Sequence, residues 1–179
     1  SLGGGSYNTL RSNLEFSTGM IDNKWNFNGR LSKITSDGYI DRASANLSSL
    51  YLNAGLYLAN TTIQAVAIKG QEKTYQSWYG TPEAVLENDQ AGLENLADNV
   101  LGLDAEDRER LLNADRTYNF YEYDNQVDDY KQDHYQLHLT QIFSSALSLN
   151  VSGHYTSGAG FFEEYKKGED LTDYGITVE

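Results

Sequence analysis

Long runs of alternating apolar and polar residues, joined by connections that are short and long by turns, constrain this chain more than any other feature. Leu10, Leu14 and Phe16 alternate with Arg11, Asn13 and Glu15. Trp25, Phe27, Gly29 and Leu31 alternate with Asn26, Asn28, Arg30 and Ser32, and Leu50, Leu52, Ala54, Leu56 and Leu58 with Tyr51, Asn53, Gly55 and Tyr57. The pattern returns with Tyr135, Leu137 and Leu139 against Gln136, His138 and Thr140, and with Leu147, Leu149 and Val151 against Ser148, Asn150 and Ser152. A period of two is what a strand with one apolar face requires. Thr62 to Tyr75 reads as a strand by position only, because Ile63, Ala65 and Ala67 compete with Val66 and Ile68 for the apolar side.

Asp22-Asn23-Lys24, Asn60-Thr61 and Ser144-Ser145 read as tight turns, whereas Ser36 to Asn46 is a medium loop and Gln76 to Gln132 a very long one. Another excursion is expected from Ser157 onward. Short connections therefore fall at one end of the sheet and long ones at the other, as in an up-and-down outer-membrane barrel. A soluble sandwich has no reason to keep every second connection short. Strands of about 13 residues exceed the roughly 9 to 11 that cross a bilayer, so they are expected to project on the long-loop side. No run of about 18 apolar residues exists to form a membrane helix.

Charge divides the chain in two. Its 179 residues carry a formal charge of -13, and residues 83–133 hold 15 acids against 4 bases. The remainder is nearly neutral. A chain this acidic repels phosphate backbones, which argues against nucleic acid as a partner. With no Cys, disulfides, thiol nucleophiles and thiolate metal sites are excluded. Within the long loop, Thr81-Pro82-Glu83 reads as an N-cap followed by Pro at the first helical position. Asp104 stands before an acidic first turn, with Leu103, Leu111 and Leu112 as apolar anchors, so one or two short helices are expected there.

No constellation argues for catalysis. His134 and His138 are four apart, but on a strand they lie about 13 Å from one another and read as polar wall residues rather than a metal site. Glu163-Glu164 would point to opposite faces of a strand, which suits a solvated pair better than a glycosidase dyad. Asp124 to Asp133 lacks the Gly and the spaced oxygen ligands of a calcium loop. Gly3-Gly4-Gly5 reads as a flexible end or a turn. No catalytic residue, metal or cofactor is expected. The aromatics carry more weight: Trp25 and Phe27 flank a tight turn, where an interfacial belt would sit. Tyr75, Trp78 and Tyr79 lie where the fourth strand leaves for the long loop, and Arg116, Tyr118 and Tyr121 follow within it. These six are the candidate ligand contacts, with packing of the loop against itself as the competing reading.

Five stretches, Arg11–Gly19, Gly29–Ser44, Gly70–Glu83, Arg116–Leu139 and Gly153–Lys166, closely resemble the barrel of TonB-dependent outer-membrane receptors, especially the Bacteroidetes-type iron-complex transporters. The resemblance implies a 22-stranded barrel around an N-terminal plug, ligand capture by outer loops and import powered by a periplasmic TonB coupling protein. About six strands cannot close such a barrel. The expectation is an all-β antiparallel up-and-down meander over residues 1–179, a partial barrel domain with an extracellular loop at 76–132 and no plug. The resemblance implies a Gram-negative outer membrane and a ferric siderophore or other iron complex as cargo, with haem, cobalamin or an oligosaccharide as alternatives. A β-rich surface adhesion module, binding a protein or cation through its acidic loop, is the non-transport alternative. In isolation the apolar row Leu50, Leu52, Leu56 and Leu58, made for lipid, is expected to drive self-association.

Overall fold

The computed structural model describes residues 1–177. Seven strands form one open antiparallel sheet in strict sequence order: β1 (Leu2–Gly4), β2 (Leu10–Ile21), β3 (Trp25–Ser36), β4 (Ala45–Tyr57), β5 (Thr61–Tyr75), β6 (Val127–Ser144) and β7 (Leu147–Phe162). Six are long, as expected. The seventh, β1, pairs Leu2 to Gly4 with Leu10 to Ser12, so Gly3 and Gly4 form a short edge strand rather than a loose end, while Gly5 opens the turn into β2 with its N–H on Thr9 O at 2.9 Å. Glycine carries no face pattern, and only a neighbouring strand's backbone could recruit it.

Turn chemistry sets the first hairpin. Asp22 and Asn23 both adopt the left-handed conformation (φ 49° and 53°), and Lys24 N–H donates to Ile21 O at 3.0 Å. Two such residues make the turn whose twist matches a hairpin. Leu58 N–H closes the second tight turn on Thr61 O at 2.8 Å. Two strands outrun the sequence reading. β6 begins at Val127, inside the expected loop, and β7 continues to Phe162, past the expected excursion at Ser157. Asp128 to Asp133 join the ladder because β5 offers Lys69 to Thr74 as paired partners. Glu163 and Glu164 lie just beyond β7 rather than within a strand.

The register settles the faces. One row runs Phe16, Gly29, Leu52, Ala67, Tyr135, Tyr155 across six strands, and its neighbours run Phe27, Ala54, Ala65, Leu137, Gly153 and Trp25, Leu56, Ile63, Leu139, Val151. Ile63, Ala65 and Ala67 thus win the apolar side of β5, and Val66 and Ile68 fall on the other. That other face carries Asn28, Asn53, Gln136 and His154 in one row, and Glu15, Arg30, Tyr51, His134 and Thr156 in the next. Phe16 lies over Gly29, whose missing side chain makes room for its ring; an alanine there would collide with it.

The apolar face is uncovered: Leu14, Phe16, Leu137 and Val151 are all at least half exposed. Along β4 and into the residue after it, its band runs from Leu50 to Leu58, about 26 Å at roughly 3.3 Å per residue, close to the lipid-facing band of an outer-membrane barrel. Trp25 and Phe27 stack at 6.2 Å at the short-turn end of this face. Among the described residues no helix is long and apolar enough to cross a membrane. The buried core lies instead in the long loop between β5 and β6. There α1 (Glu83–Glu87), α2 (Gln90–Asn95), a π-helical segment (Leu96–Leu101) and α3 (Ala105–Leu112) enclose Val85, Leu93, Ala97, Leu111 and Tyr118.

Candidate functional site

The long-loop end carries a cap built from three segments: the β3–β4 loop, the helix-bearing loop and the stretch after β7. Side-chain amides join them. Asn119 Nδ2 donates to Asp41 O at 2.8 Å and Gln76 O at 2.9 Å, while its Oδ1 accepts from Tyr121 N–H at 3.0 Å. Gln76, almost fully buried, donates from Nε2 to Glu163 O at 2.9 Å. Gln126 Oε1 accepts the backbone N–H groups of Glu122 and Tyr123 at 3.1 and 2.9 Å. Buried backbone groups in an irregular loop have no ladder to satisfy them, so amide side chains, which both donate and accept, take that role.

The helices follow their caps in part. Asp104 accepts from Glu106 N–H and Asp107 N–H at 3.1 and 3.0 Å, so α3 begins where its acidic first turn indicated. At α1 the N-cap is Pro82 and not Thr81. Thr81 Oγ1 instead donates to Tyr118 O at 3.1 Å and to Arg116 O at 3.4 Å, tying the residue before Pro82 to the loop beyond α3.

The six candidate contacts separate into three sets: a buried one, an exposed one and Arg116. Tyr75, Tyr118 and Tyr121 are buried. Tyr75 O–H donates to Tyr123 O at 2.7 Å, and burial pushes the Tyr118 and Tyr121 phenols above their usual range, keeping them protonated. Trp78 and Tyr79 are exposed, at 59% and 70%. Trp78 meets Tyr121 edge-on at 6.3 Å and Phe162 at 5.7 Å, and Tyr79 meets Phe120 at 5.0 Å and Tyr121 at 5.6 Å. Phe162 pairs with Asp128 eight residues after His154, so it shares the polar face. The aromatic platform therefore adjoins the mouth of that face.

Arg116 does not join this platform; its Nη2 donates to Leu86 O at 3.3 Å, tying the loop to α1. The arginine over an aromatic ring is Arg110, 4.9 Å from the Tyr118 centroid, donating to Asn119 O and Phe120 O at 2.8 and 3.0 Å. Its Nε lies 2.9 Å from Glu122 Oε2 as an ion pair without hydrogen-bond alignment. Phe120 belongs to the run of aromatics that follows Arg116 in the sequence, whereas Arg110 and Phe162 are not among the sequence candidates. Of these two only Phe162 carries a signal, its strand parity, which becomes legible once β7 runs past Ser157.

A cleft of about 860 Å³ beside the platform is lined by Arg42, Tyr79, Arg110, Glu122, Tyr165 and Lys167, among others. Its cations are paired: Arg42 with Asp124 at 2.8 Å, Lys166 with Glu164 at 3.0 Å, and Lys167 with Asp104 and Asp107 at 2.6 and 3.0 Å. Among the described residues no three His, Cys, Asp or Glu side chains converge as a metal-binding group.

Lys167 clamps the segment after β7 onto the start of α3. The Asp107 N–H and then the Lys167 ammonium hold Asp104 below the usual aspartate range, and Asp104 and then Asp107 hold Lys167 above the usual lysine range. The lowered carboxylate stabilises the clamp above its ordinary pKa near 3.8 and ceases to do so as pH falls through the lowered value. The raised ammonium stabilises it below 10.5, with loss as pH rises through the raised value. Spin labels at Glu109→Cys and Glu169→Cys are expected to give one narrow distance distribution between about pH 5 and 9, broadening at either extreme. A distribution left unchanged by Lys167→Gln at neutral pH would exclude the clamp.

No family model and no curated protein matches the sequence. A solved structure does resemble this one: the ferric-catecholate import receptor Fiu from E. coli K12, in its open form, matches with a TM-score of 0.64 at 12% identity. The match covers 87% of this chain and 22% of the receptor, so the chain spans less than a quarter of that protein's length. The likeness is one of fold: an antiparallel up-and-down meander of the kind from which such a receptor is built.

Proposed function

We propose that this chain is a barrel segment of a TonB-dependent outer-membrane receptor of the Bacteroidetes type, serving import of a ferric siderophore or similar iron complex. The observation that carries the reading is the two-faced meander. Its uncovered apolar band suits outer-membrane lipid, its opposite face suits an aqueous lumen, and its helix-bearing cap gathers at one end only. The likeness to the ferric-catecholate receptor supports it, as do the five sequence stretches that resemble the family. In this reading the cap is extracellular, and the TonB protein engages parts of the receptor outside this chain. Protein and ligand meet without covalent chemistry, so no enzymatic role is assigned.

The contact the mouth offers is stacking. Trp78 and Tyr79 present ring faces supported from behind by Phe120, Tyr121 and Phe162. The neighbouring cations are held by carboxylates, which leaves rings to grip a catechol-like or other flat ligand. In the full receptor, Trp78→Ala with Tyr79→Ala is expected to weaken ferric-catecholate binding roughly tenfold, about 1.4 kcal/mol. Deleting the gene is expected to lower radio-iron uptake in iron-poor medium. Uptake unchanged by deletion, together with expression indifferent to iron, would overturn the iron reading. Haem, cobalamin and oligosaccharide binding to the same receptor are the competing outcomes.

A further inference from the structure

All three histidines of the chain lie on the polar face of the β6–β7 hairpin. His134 and His138 belong to β6, and His154 of β7 stands opposite Gln136, diagonal to both. Sequence spacing drew attention to His134 and His138, but strand pairing brings His154 to His134 instead. Their rings are 5.7 Å apart between centroids and inclined at 45°. His134 Nδ1 lies 2.9 Å from Thr156 Oγ1, and His154 Nε2 lies 2.5 Å from the same oxygen.

Two imidazole nitrogens from neighbouring strands are therefore directed at one point. A hydroxyl carries a single proton, so Thr156 donates to one nitrogen and accepts from the other: one nitrogen is already unprotonated, and the other becomes a ligand when its proton shifts to the far nitrogen of its ring. A shared focus of imidazole nitrogens is also the arrangement that chelates a late transition-metal cation, which binds imidazole nitrogen at about 2.0–2.1 Å. The ladder pairs β6 and β7 without a break from Asp128 opposite Phe162 to Ile142 opposite Ser148. Both Cα positions are thus held by a continuous sheet, and the second ligand enters without ordering a loop. His138 is engaged separately, with Ser152 Oγ at 2.9 Å and Gln136 Oε1 at 3.3 Å.

We propose that His134 and His154 form a two-imidazole site on the polar sheet face for a late first-row divalent cation, with the Thr156 hydroxyl and water filling its remaining positions. Imidazole ligation places copper(II) above nickel(II) and zinc(II) in affinity and leaves magnesium and calcium, which take oxygen ligands, without effect. The site stands on the hairpin geometry alone and not on the transport reading.

The test is calorimetric titration of the detergent-solubilised chain with copper(II), nickel(II) and zinc(II) salts. Saturable 1:1 binding in that order, undisturbed by excess magnesium or calcium, is expected. His154→Gln and His134→Gln each remove the chelate and are expected to weaken binding about a hundredfold, whereas His138→Gln stays within about twofold. Circular dichroism confirms that each variant keeps its sheet. In the unaltered chain, sub-stoichiometric copper(II) should broaden the ring-proton resonances of His134 and His154 before those of His138, which tests the site without any variant. Absence of saturable binding, full binding by His154→Gln, or equal broadening of all three histidines would overturn the assignment.

Discussion

Replacing Leu111 with alanine is expected to unfold the helical cap while leaving the sheet paired. Leu111 has no exposed surface and lies among Val85, Leu93, Ala97 and Tyr118, which with it make up the buried cluster of the cap. A buried Leu→Ala change costs about 2–5 kcal/mol, through lost transfer energy and the cavity left behind. A domain-sized core would absorb that. This cluster of five side chains is closed by helices of 5, 6 and 8 residues, none of which is stable alone. Hydrogen exchange should therefore show residues 83–112 losing protection together, with β2 to β7 unchanged. Protection retained across the three helices would show that the capping bonds and not the cluster hold them.

The second large effect is expected at Asn119, where three segments share one amide. Asn119→Ala strands the Asp41 and Gln76 carbonyls and the Tyr121 N–H, which its side chain satisfies now. Each buried group left unpaired costs about 1–3 kcal/mol. Since the losses share one relaxation, a total near 3 kcal/mol is expected for the cap. Asn119→Asp is expected to be worse, because a carboxylate has no proton to offer two carbonyl oxygens. The distinguishing readout is spatial. Asn119 variants should release residues 37–44 and the aromatic platform together, whereas Leu111→Ala releases the helices first. Intact protection of the β3–β4 loop in Asn119→Asp would remove the bridging role.

The sheet was legible because its signal is local and repeated. β2, β3, β4, β6 and β7 alternate at period two, Asp22-Asn23 supplies the left-handed turn, and Asp104 announces α3 through its own backbone reach. The misreadings share a different cause. The residues of β6 from Val127 to Gln132 are acidic and look like loop until β5 supplies partners, and Gly3-Gly4 has no face to display until β2 lies beside it. Thr81 resembles a cap, yet a nonlocal carbonyl takes its hydroxyl. The candidate site was half legible: the aromatic composition of the loop marked where to look, but could not separate Trp78 and Tyr79, left in solvent, from Tyr75, Tyr118 and Tyr121, which the cap buries.

By itself the sequence determined an all-β meander with short turns at one end and a large acidic, helix-bearing excursion at the other, since alternation, turn residues and capping signals act over a few residues. Only the tertiary structure decided which face of β5 is apolar, that Arg110 and not Arg116 stands over the loop's rings, and that His154 and not His138 shares a focus with His134. Those outcomes depend on register between strands and on contacts spanning tens of residues. Such contacts follow from which backbone groups and apolar surfaces find partners after the chain has closed on itself, and no local spacing encodes them.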